Sequence, residues 1–363
     1  MSRVVWVVAG GTAGHIHAGL SVIEAFDDDV HPILITTDRE VDYEVTEGLN
    51  LEVIRVRGAG LPHGARGIFA AVVTNVVAIS HNLAQLRSLA RPDLVISFGG
   101  FHTPLVSLLA RVRGARSYLL EQNAALTRSN RLVGLWSSRI FLAWPVSLPK
   151  SWLRRAAVVG NPPRRELLKL TDRQAVRASL GFDADDILVV VTSGSLGARS
   201  VNVATLEAAE LLASDDHVRI VHSMGSKNAL GEPRSQTGTG MANKHYHSLG
   251  YDSGLYRYLM AADLVVARAG ASTLTEIALF GVPSILIPLP LSPNDHQNRN
   301  ADIFVRAGAS VVIDDDNLTG QVLATALGEL IADETRRVRM GLAAKRLAHP
   351  DAARLIWEEM VQA

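Results

Sequence analysis

The sequence predicts an α/β protein built from two doubly wound domains, each a parallel sheet covered by helices on both faces. Short apolar runs of β type alternate with helical patterns along all 363 residues, as expected of parallel strands joined by crossover helices. Glycine-rich turns follow several of these runs, and a Gly/Pro-rich stretch at residues 160–164 marks a domain junction. A chain of this length corresponds to about two ordinary domains.

The first half of the chain carries one series of alternating elements. Strands are expected at residues 3–9, 32–37, 51–57, 93–97, 117–120, 139–142 and 157–159, and helices at residues 16–26, 68–91 and 103–113. The segment 68–91 is unusually apolar in its first half, so we expect a core helix packed on the sheet, with contact to a bilayer interface as the alternative. Residues 58–67, rich in glycine, are expected to form a loop.

The second half repeats the same rhythm. Strands are expected at residues 187–192, 218–222, 264–266, 284–288 and 310–313, and helices at residues 173–180, from about 200, at 255–261, from about 272 to 280, at 319–333, at 334–348 and at 351–362. The polar, Gly-rich residues 225–244 are expected to have low order.

Composition excludes several classes of function. The 36 Lys and Arg residues balance 36 Asp and Glu residues, which argues against nucleic acid as the main partner. The chain has no cysteine, so disulfides and thiolate chemistry are excluded. The first apolar run ends in a glycine turn and is interpreted as a strand, and no run reaches the ~18 apolar residues of a spanning helix. We therefore expect a soluble, intracellular protein.

Charge is unevenly distributed along the chain. Residues 111–177 contain fourteen Lys and Arg against three Asp and Glu, which indicates either a solvated basic face or a surface that meets phosphates or a membrane. Two aspartate triplets, at 27–29 and 314–316, fall at the ends of predicted elements. They are interpreted as solvated turns, so no metal site is assigned.

The first glycine turn follows the first predicted strand. Its glycines do not fit the dinucleotide pattern G-x-G-x-x-G, but the adjacent Gly10 and Gly11 allow a ligand to approach the backbone closely. His15 follows at the mouth of the helix, where an imidazole can act as a general base near neutral pH. A capping or packing histidine is the alternative.

A second candidate site lies in the other half of the chain. The turn at Gly270 leads into a helix, whose free N–H groups and positive dipole end suit a phosphate. Glu276, further along that helix, can accept hydrogen bonds from two ribose hydroxyls, and Gln297 and Asn300 follow the next strand at the same sheet edge. Phosphate, ribose and a hydroxyl-rich ligand together indicate a nucleotide sugar. An ordinary βαβ unit with a surface glutamate is the alternative.

Several motifs occur in the order in which one enzyme family carries them. They are GGTAGH at 10–15, FGGF at 98–101, EQN at 121–123, NRL at 130–132, GNPPR at 160–164, SGSLGAR at 193–199, ARAGASTLTEIALFGVP at 267–283 and DHQNRNA at 295–301. Each motif alone is weak, but the ordered set is specific and spans nearly the whole chain. The sequence resembles the MurG family of peptidoglycan N-acetylglucosaminyltransferases.

This resemblance implies the GT-B fold, with two Rossmann-like doubly wound domains facing a central cleft. Residues 1–160 would form the acceptor and membrane-side domain, with the helix at 351–362 packing back on it, and residues 161–350 the UDP-sugar domain. The implied reaction moves GlcNAc from UDP-GlcNAc to the muramyl sugar of undecaprenyl-diphosphate-linked lipid I, with inversion, giving lipid II. The implied enzyme needs no metal or other cofactor and is cytoplasmic, peripheral on the inner face of the cell membrane.

The resemblance also implies roles for individual residues. Acceptor binding would use the two glycine loops of the first domain, which contain Gly10, Gly11, Thr12, Gly14, Gly99, Gly100 and Phe101. Donor binding would use Asn123, Arg164, Ser195, Gly270, Ala271, Ser272, Glu276, Gln297 and Asn300. Ser195 and the N–H groups of 270–272 would hold the diphosphate, Glu276 the ribose, and Asn123 the GlcNAc together with Gln297 and Asn300. His15 is the candidate catalytic base, and Glu121 is its rival.

The sequence departs from the family pattern at Ala18, Leu120, Leu196 and residues 101–104. Most of these positions are expected to touch the acceptor side or to line the cleft. The alternative function is therefore a related UDP-sugar transferase that glycosylates a different small-molecule or lipid acceptor. A sugar-nucleotide-binding protein or an accessory subunit without catalysis is a third hypothesis, which the presence of both His15 and Glu276 disfavours.

Overall fold

A computed structural model describes residues 2–57, 82–226, 240–243, 245–250 and 254–362. The chain divides into two compact units: Met1–Arg164 together with Asp351–Ala363, and Arg165–Pro350. The boundary expected after residue 160 lies close to this division.

The first unit contains one parallel sheet. Its strands are β1 (Arg3–Val8), β2 (Val30–Thr37), β3 (Glu52–Val56), β4 (Leu94–Ser97), β5 (Arg116–Glu121), β6 (Arg139–Leu142) and β7 (Ala156–Val158). They are ordered β3-β2-β1-β4-β5-β6-β7, and every neighbouring pair is parallel. The winding direction reverses between β1 and β4, and ligands of doubly wound folds bind outside the carboxyl ends of the strands at such a switch point.

The helices of the first unit cover both faces of this sheet. They are α1 (Ala13–Ile23), α2 (Glu40–Thr46), α3 (Thr103–Val112), α4 (Arg128–Val133), a 3-10 helix (Lys150–Arg155) and the C-terminal helix (Ala352–Gln362), and residues 82–88 are also helical. Val5 and Val7 pack with the C-terminal helix on one face, whereas Trp6 and Val8 pack in a separate cluster. Because both faces are buried, β1 is apolar at every position from Val4 onward instead of alternating.

The C-terminal helix is tied to the first sheet by polar contacts as well as by packing. The Tyr118 hydroxyl donates to the Met360 carbonyl (2.9 Å), and Arg139 pairs with Glu359 (2.7 Å). The Trp357 indole N–H donates to Asp27 (3.1 Å). Asp27, expected in a solvated turn, therefore also has a structural partner.

The second unit repeats the doubly wound order. Its strands are β8 (Ile187–Thr192), β9 (Val218–Ser223), β10 (Gly240–Asn243), β11 (Tyr246–Leu249), β12 (Leu264–Ala267), β13 (Ser284–Leu286) and β14 (Ser310–Val312). The order is β10-β11-β9-β8-β12-β13-β14, with β10 antiparallel at one edge and the other six strands parallel. The switch point lies between β8 and β12.

The helices of the second unit follow its strands in the expected alternation. They are α5 (Arg165–Leu168), α6 (Arg173–Ser179), α7 (Arg199–Leu211), α8 (Leu255–Ala261), α9 (Ala271–Phe280), α10 (His296–Arg306), α11 (Gly320–Ala332) and α12 (Glu334–Lys345), with 3-10 turns at Pro293–Asp295 and Asp315–Asn317. Gly281 ends α9 in the left-handed conformation (φ 68°), as the Gly-Val-Pro stop signal predicts.

Two strands were not predicted. The expectation of low order over 225–244 is wrong at β10, and β11 was missed; residues 227–239 lie outside the described part. β11 is four residues long and polar at its centre, so its own pattern is weak, and pairing with β9 determines its conformation.

The predicted loop 58–67 and residues 68–81 of the predicted helix also lie outside the described residues. Within those that are described, no helix is both long and apolar enough to cross a membrane.

Candidate active site

The first glycine turn joins β1 to α1 at the switch point of the first sheet. Thr12 caps α1 by accepting a hydrogen bond from the His15 N–H (3.4 Å). The His15 ring folds back, so that Nδ1 lies 3.1 Å from the Gly10 carbonyl oxygen. A carbonyl oxygen only accepts, so Nδ1 carries the proton and Nε2 of the neutral ring carries the lone pair. His15 is therefore held in the tautomer that a base acting through Nε2 requires.

The second glycine turn follows β4 and packs against the first. Gly99 and Gly100 have φ of 110° and 104°, conformations that L side chains rarely adopt. A Cβ at Gly99 would lie 3.2 Å from His15 Nε2, and one at Gly100 would lie 3.1 Å from the Gly10 oxygen. The structure thus brings the two predicted acceptor loops together around His15. Phe101, next in the chain, is 38% exposed.

His102 lies beneath the second turn and is almost completely buried. Burial, and after it the nearby His15, lower the pKa of His102 to about 4. A Cβ at Gly100 would lie 3.0 Å from its ring. His102 is therefore neutral near pH 7 and acts as packing for the turn.

A buried carboxylate, which the sequence analysis did not single out, holds the first turn. Asp42 of α2 accepts hydrogen bonds from the Gly11 N–H (3.0 Å), the Thr37 N–H (2.8 Å) and the hydroxyls of Thr36 (2.5 Å) and Thr37 (2.6 Å). Burial alone would raise the pKa of Asp42, but these hydrogen bonds outweigh it and bring the pKa below its ordinary value. The signal in the sequence is an acidic residue five positions after a strand that ends in two threonines.

Glu121, the rival base, is committed to the loop that follows β5. One carboxylate oxygen accepts from the Asn123 N–H (3.0 Å), and the other accepts from the Thr127 N–H (3.0 Å) and the Asn130 amide (2.8 Å). Burial raises the pKa of Glu121, and the hydrogen bonds oppose that rise. This geometry favours a role for Glu121 in holding the loop over a role in taking a proton from substrate.

Two of the predicted donor residues lie in the first unit. Asn123 is half-buried at the carboxyl end of β5, and its side-chain amide donates to Glu121 (3.3 Å). The amide of Gln122 donates to Asn161 (2.8 Å), which connects the GNPPR stretch to the same strand end. Arg164, at the end of that stretch, is half-buried.

In the second unit, a glycine turn follows β8 at the switch point. Gly194 and Gly197 adopt φ of 89° and 74°, and Ser195 between them is exposed. The Ser195 carbonyl accepts from the Ser226 N–H (2.8 Å). Gly225 packs directly against the backbone of Gly197. The predicted diphosphate residue Ser195 thus lies on an exposed turn at the carboxyl edge of the sheet.

The turn after β12 lies on the other side of this switch point. Gly270 is the N-cap of α9 and contributes no side chain, so the first N–H groups of the helix, from Ala271 and Ser272, face the carboxyl edge of the sheet. Glu276 is half-buried on the same helix. The structure therefore places the predicted phosphate-binding N–H groups and the predicted ribose-binding carboxylate on one short helix.

A buried arginine, whose role the sequence analysis missed, connects the loops around this turn. Arg268 pairs with Asp315 (2.6 Å), and the same guanidinium nitrogen donates to the carbonyls of Ile287 and Pro288 (3.1 Å each). Its other terminal nitrogen donates to the Ser200 hydroxyl (3.1 Å). The expectation that the 314–316 triplet is simply solvated is therefore wrong for Asp315.

The two predicted donor residues that follow β13, Gln297 and Asn300, differ in their solvent accessibility. Gln297 is half-buried, and its side-chain oxygen accepts from the Leu289 N–H (2.9 Å). Asn300 is completely buried, and its amide donates to the Ala269 carbonyl (3.0 Å). Asn300 thus supports the backbone of the turn before Gly270, which favours an indirect role at the donor edge.

Comparison with known proteins agrees with this geometry. The glycosyltransferase family 28 N-terminal domain matches residues 5–142, and the glycosyltransferase family 28 C-terminal domain matches residues 188–356. The UDP-N-acetylglucosamine--N-acetylmuramyl-(pentapeptide) pyrophosphoryl-undecaprenol N-acetylglucosamine transferase of Aeromonas hydrophila is 33% identical over 99% of this chain and 96% of its own. The transferase of the same name from Geobacter sulfurreducens is 31% identical over 98% and 97%.

The chain belongs to the MurG family. It is therefore a glycosyltransferase, specifically a hexosyltransferase. The crystal structure of Acinetobacter baumannii MurG matches it over 100% of both chains with a TM-score of 0.74 at 22% identity, which supports the GT-B fold.

Two of the departures from the MurG pattern lie in the hydrophobic core. Leu120 is 0% and Ala18 2% exposed, and both belong to the cluster that contains the C-terminal helix. The expectation that most departures touch the acceptor side or line the cleft is therefore wrong for these two. Leu196, 55% exposed, and Phe101 are the departures that reach the surface of the glycine turns.

The arrangement supplies N–H donors for anionic groups and, at His15, an imidazole whose Nδ1 faces the Gly10 carbonyl. Helix N-termini present N–H groups at the turns of both units. Across the described ranges, no group of three or more His, Asp or Glu side chains is placed to hold a metal ion.

Proposed function

We propose that this MurG-family enzyme transfers N-acetylglucosamine from UDP-N-acetylglucosamine to the muramyl sugar of an undecaprenyl-diphosphate-linked acceptor, forming lipid II in peptidoglycan synthesis. The observation that carries the proposal is the 33% identity, over 99% of the chain, to a transferase named for that donor and acceptor. The geometry of the two glycine-turn regions supports the same reaction.

The donor nucleotide is assigned to the carboxyl edge of the second sheet. The N–H groups at Gly270–Ser272 and the hydroxyl of Ser195 would hold the diphosphate, and the Glu276 carboxylate would accept from the ribose hydroxyls. When UDP leaves, the same N–H groups and the positive end of α9 would stabilise its developing charge, so the proposal requires no metal or other cofactor. Arg268 supports this assignment because it fixes the strand end from which α9 starts.

The acceptor chemistry is assigned to the first unit. The acceptor hydroxyl oxygen forms a bond to C1 of GlcNAc, on the face opposite UDP, as the bond from C1 to the diphosphate oxygen breaks. The hydroxyl proton passes to Nε2 of His15, whose Nδ1–H is already held by Gly10. In a second version, His15 is protonated and binds the acceptor diphosphate, which would assist binding more than chemistry.

The test is turnover by the purified full-length protein. A panel of UDP-sugars is incubated with lipid I and without it, and the lipid product is identified by mass spectrometry. We expect consumption of UDP-GlcNAc only in the presence of lipid I, with a product heavier by one GlcNAc unit. Activity on another acceptor, with none on lipid I, would instead support the alternative transferase. UDP-sugar binding with no turnover on any acceptor would overturn both.

We also propose that the enzyme acts as a peripheral protein on the cytoplasmic face of the cell membrane. Exposed apolar side chains are carried by neighbouring elements of the first unit: Leu108 and Val112 of α3, Leu132 and Leu135 in and after α4, and Leu153 of the 3-10 helix. Contacts connect these elements, since the Trp136 indole donates to Ser107 (3.0 Å) and Trp152 packs on Gly134. Exposed basic residues lie on the same elements: Arg111, Arg128, Arg131, Lys150 and Arg154.

Exposed apolar side chains together with exposed basic residues on the same elements suit a bilayer that contains anionic lipids. We expect the protein to float with phosphatidylglycerol vesicles at low salt and to be released at high salt, because salt screens the electrostatic attraction. Replacing Leu132 and Leu135 with glutamate should abolish flotation. The same change at Leu211 and Leu342, exposed in the second unit, is the matched control. Absence of binding at low salt would contradict the proposal.

A further inference from the structure

We propose that Asp42 is a positioning residue for His15, and that it acts through the single peptide group that joins Gly10 to Gly11. The inference rests on the proposed function, in which His15 takes the proton of the acceptor hydroxyl. Asp42 does not contact substrate in this proposal. It positions and polarises the Gly10–Gly11 peptide group, and that peptide group positions His15.

Both ends of this peptide group are occupied by side chains. Its carbonyl, from Gly10, accepts the hydrogen bond of His15 Nδ1 (3.1 Å). Its N–H, from Gly11, donates to both carboxylate oxygens of Asp42 (3.0 Å each). The order is therefore carboxylate, amide, imidazole, joined by two hydrogen bonds with one peptide bond between them.

The surroundings leave this peptide little freedom to rotate. A Cβ at Gly10 would lie 2.7 Å from Asp42 Oδ2 and 2.8 Å from the Thr36 hydroxyl, so no side chain fits there. The next carbonyl, from Gly11, accepts from Arg39 (3.2 Å). Turning the peptide would break the hydrogen bonds on both sides at once.

Asp42 supplies a charge as well as a hydrogen bond. It is fully buried and accepts from Thr36 and Thr37 in addition to Gly11, and these bonds keep the carboxylate ionised near neutral pH. A carboxylate that accepts from an amide N–H increases the negative charge on the carbonyl oxygen of the same peptide. That oxygen then binds the Nδ1–H of His15 more strongly, which raises the proton affinity of Nε2. The effect resembles that of a carboxylate bonded directly to a histidine, weakened by the intervening amide.

Other charged and titratable groups lie around the same peptide and are accounted for in the test. Arg39 approaches from the segment before α2, and His102 from beneath the second glycine turn. Glu121 is connected to the site through Asn130, whose amide lies close to Gly99. None of these three groups bonds the Gly11 N–H, so a change confined to Asp42 isolates its contribution.

The experiment measures the titration of His15 by NMR in the full chain with labelled histidine. The His15 signal is identified among the 12 histidines by its loss in His15→Gln. Asp42→Asn keeps an oxygen that can accept from Gly11 but removes the charge. We expect the His15 midpoint to fall by roughly half a unit to one unit, less than the 1–3 units of a directly contacting charge. Asp38→Asn, an exposed aspartate in the same segment, should leave the midpoint unchanged.

Kinetics give a second readout. In Asp42→Asn the acid limb of the kcat profile should move to lower pH by the same amount and the plateau should fall, while KM for UDP-GlcNAc is unchanged. A folded Asp42→Asn protein with an unchanged His15 midpoint overturns the inference. If that variant does not fold, the same question is tested in the wild type. The chemical shift of the Gly11 amide proton should change with pH at the His15 midpoint. A Gly11 chemical shift that does not change at that midpoint also overturns the inference. Neither NMR measurement uses substrate, so failure of wild-type turnover on lipid I would overturn only the proposed function.

Discussion

The second unit contains a buried histidine that should make its stability depend strongly on pH. His222 of β9 is completely buried; its Nε2 lies 3.1 Å from the Asn202 side-chain oxygen and its Nδ1 lies 2.9 Å from the Tyr246 hydroxyl. The Asn202 amide donates to the Met224 carbonyl (3.0 Å), which fixes its oxygen toward His222. Nε2 must therefore carry the proton, and Tyr246 donates to Nδ1. A second proton on His222 would displace that donor.

The magnitude follows from the pKa of this histidine. Burial lowers the pKa of His222 from 6.5 to about 4. Well above pH 6.5 the imidazole is neutral in both the folded and the unfolded state and contributes no pH dependence. As the pH falls below 6.5, His222 becomes protonated in the unfolded chain but stays neutral in the folded protein. The free energy of unfolding therefore decreases until the pH reaches about 4. The difference between the two pKa values corresponds to about 3 kcal/mol, of which about 2 kcal/mol is lost by pH 5.

Hydrogen exchange can measure this loss in the second unit alone. The opening free energy of amides in β8 and β9 is compared at pH 7.5 and pH 5, after correction for the intrinsic exchange rates. We expect the wild type to lose about 2 kcal/mol more than His222→Gln over this interval. His217→Gln, at an exposed histidine of the same unit, is the control and should behave as the wild type. Equal pH dependence in wild type and His222→Gln would refute the reasoning.

Three further outcomes are expected. Glu276→Ala should weaken UDP binding about tenfold or more, since a hydrogen bond to a charged group contributes about 1.5–3 kcal/mol and about 1.4 kcal/mol corresponds to tenfold. Isothermal titration measures the affinity against the exposed control Glu210→Ala, and unchanged affinity would remove the ribose assignment. His15→Ala should lower kcat by ~10²–10⁴ and leave UDP-GlcNAc binding nearly intact, with His31→Ala as control; a higher acceptor KM at normal kcat would instead favour a phosphate-binding role. Arg268→Met should lower the free energy of unfolding of the second unit by up to about 3–5 kcal/mol, because it removes the ion-pair partner of the largely buried Asp315. Arg306→Met, at an exposed ion pair, should leave that free energy nearly unchanged. Equal denaturation midpoints for Arg268→Met and the wild type would contradict the prediction.

Much of the fold could be predicted from local pattern. Strands buried on both faces appear as continuous apolar runs, so β1, β5, β8 and β12 were recognisable from their residues alone. Short polar elements such as α2 and β11 were missed, because packing and pairing, not their own sequence, hold them in place. The C-terminal helix was placed by resemblance; its Ile356 and Met360 are buried, whereas Leu355 is 37% exposed.

The candidate site was predicted less completely, since several supporting residues act over long sequence separations. Asp42 meets a glycine turn 31 positions before it, and Arg268 meets an aspartate 47 positions after it. No local motif identifies the distant partner of either residue, because the contact exists only once folding brings the two segments together. Most residues that we predict to contact a ligand lie in glycine turns and at helix starts. Such turns need glycine and helix starts favour capping residues, so both can be recognised in the sequence.

The burial of individual side chains reduces the number of departures from the MurG pattern that could affect acceptor specificity. Leu120 and Ala18 differ from the MurG pattern, yet both lie in the core, so we expect their replacement to alter the packing of α1 and β5 and not a surface that a ligand contacts. Phe101 differs at an exposed position beside the two glycine turns, and Leu196 differs on the exposed turn of the second unit. A change in acceptor should therefore depend on Phe101, whereas a change at Leu196 should affect the donor. Exchanging only these two side chains for the family residues, tyrosine and glutamine, would separate the two effects in the acceptor and donor KM values.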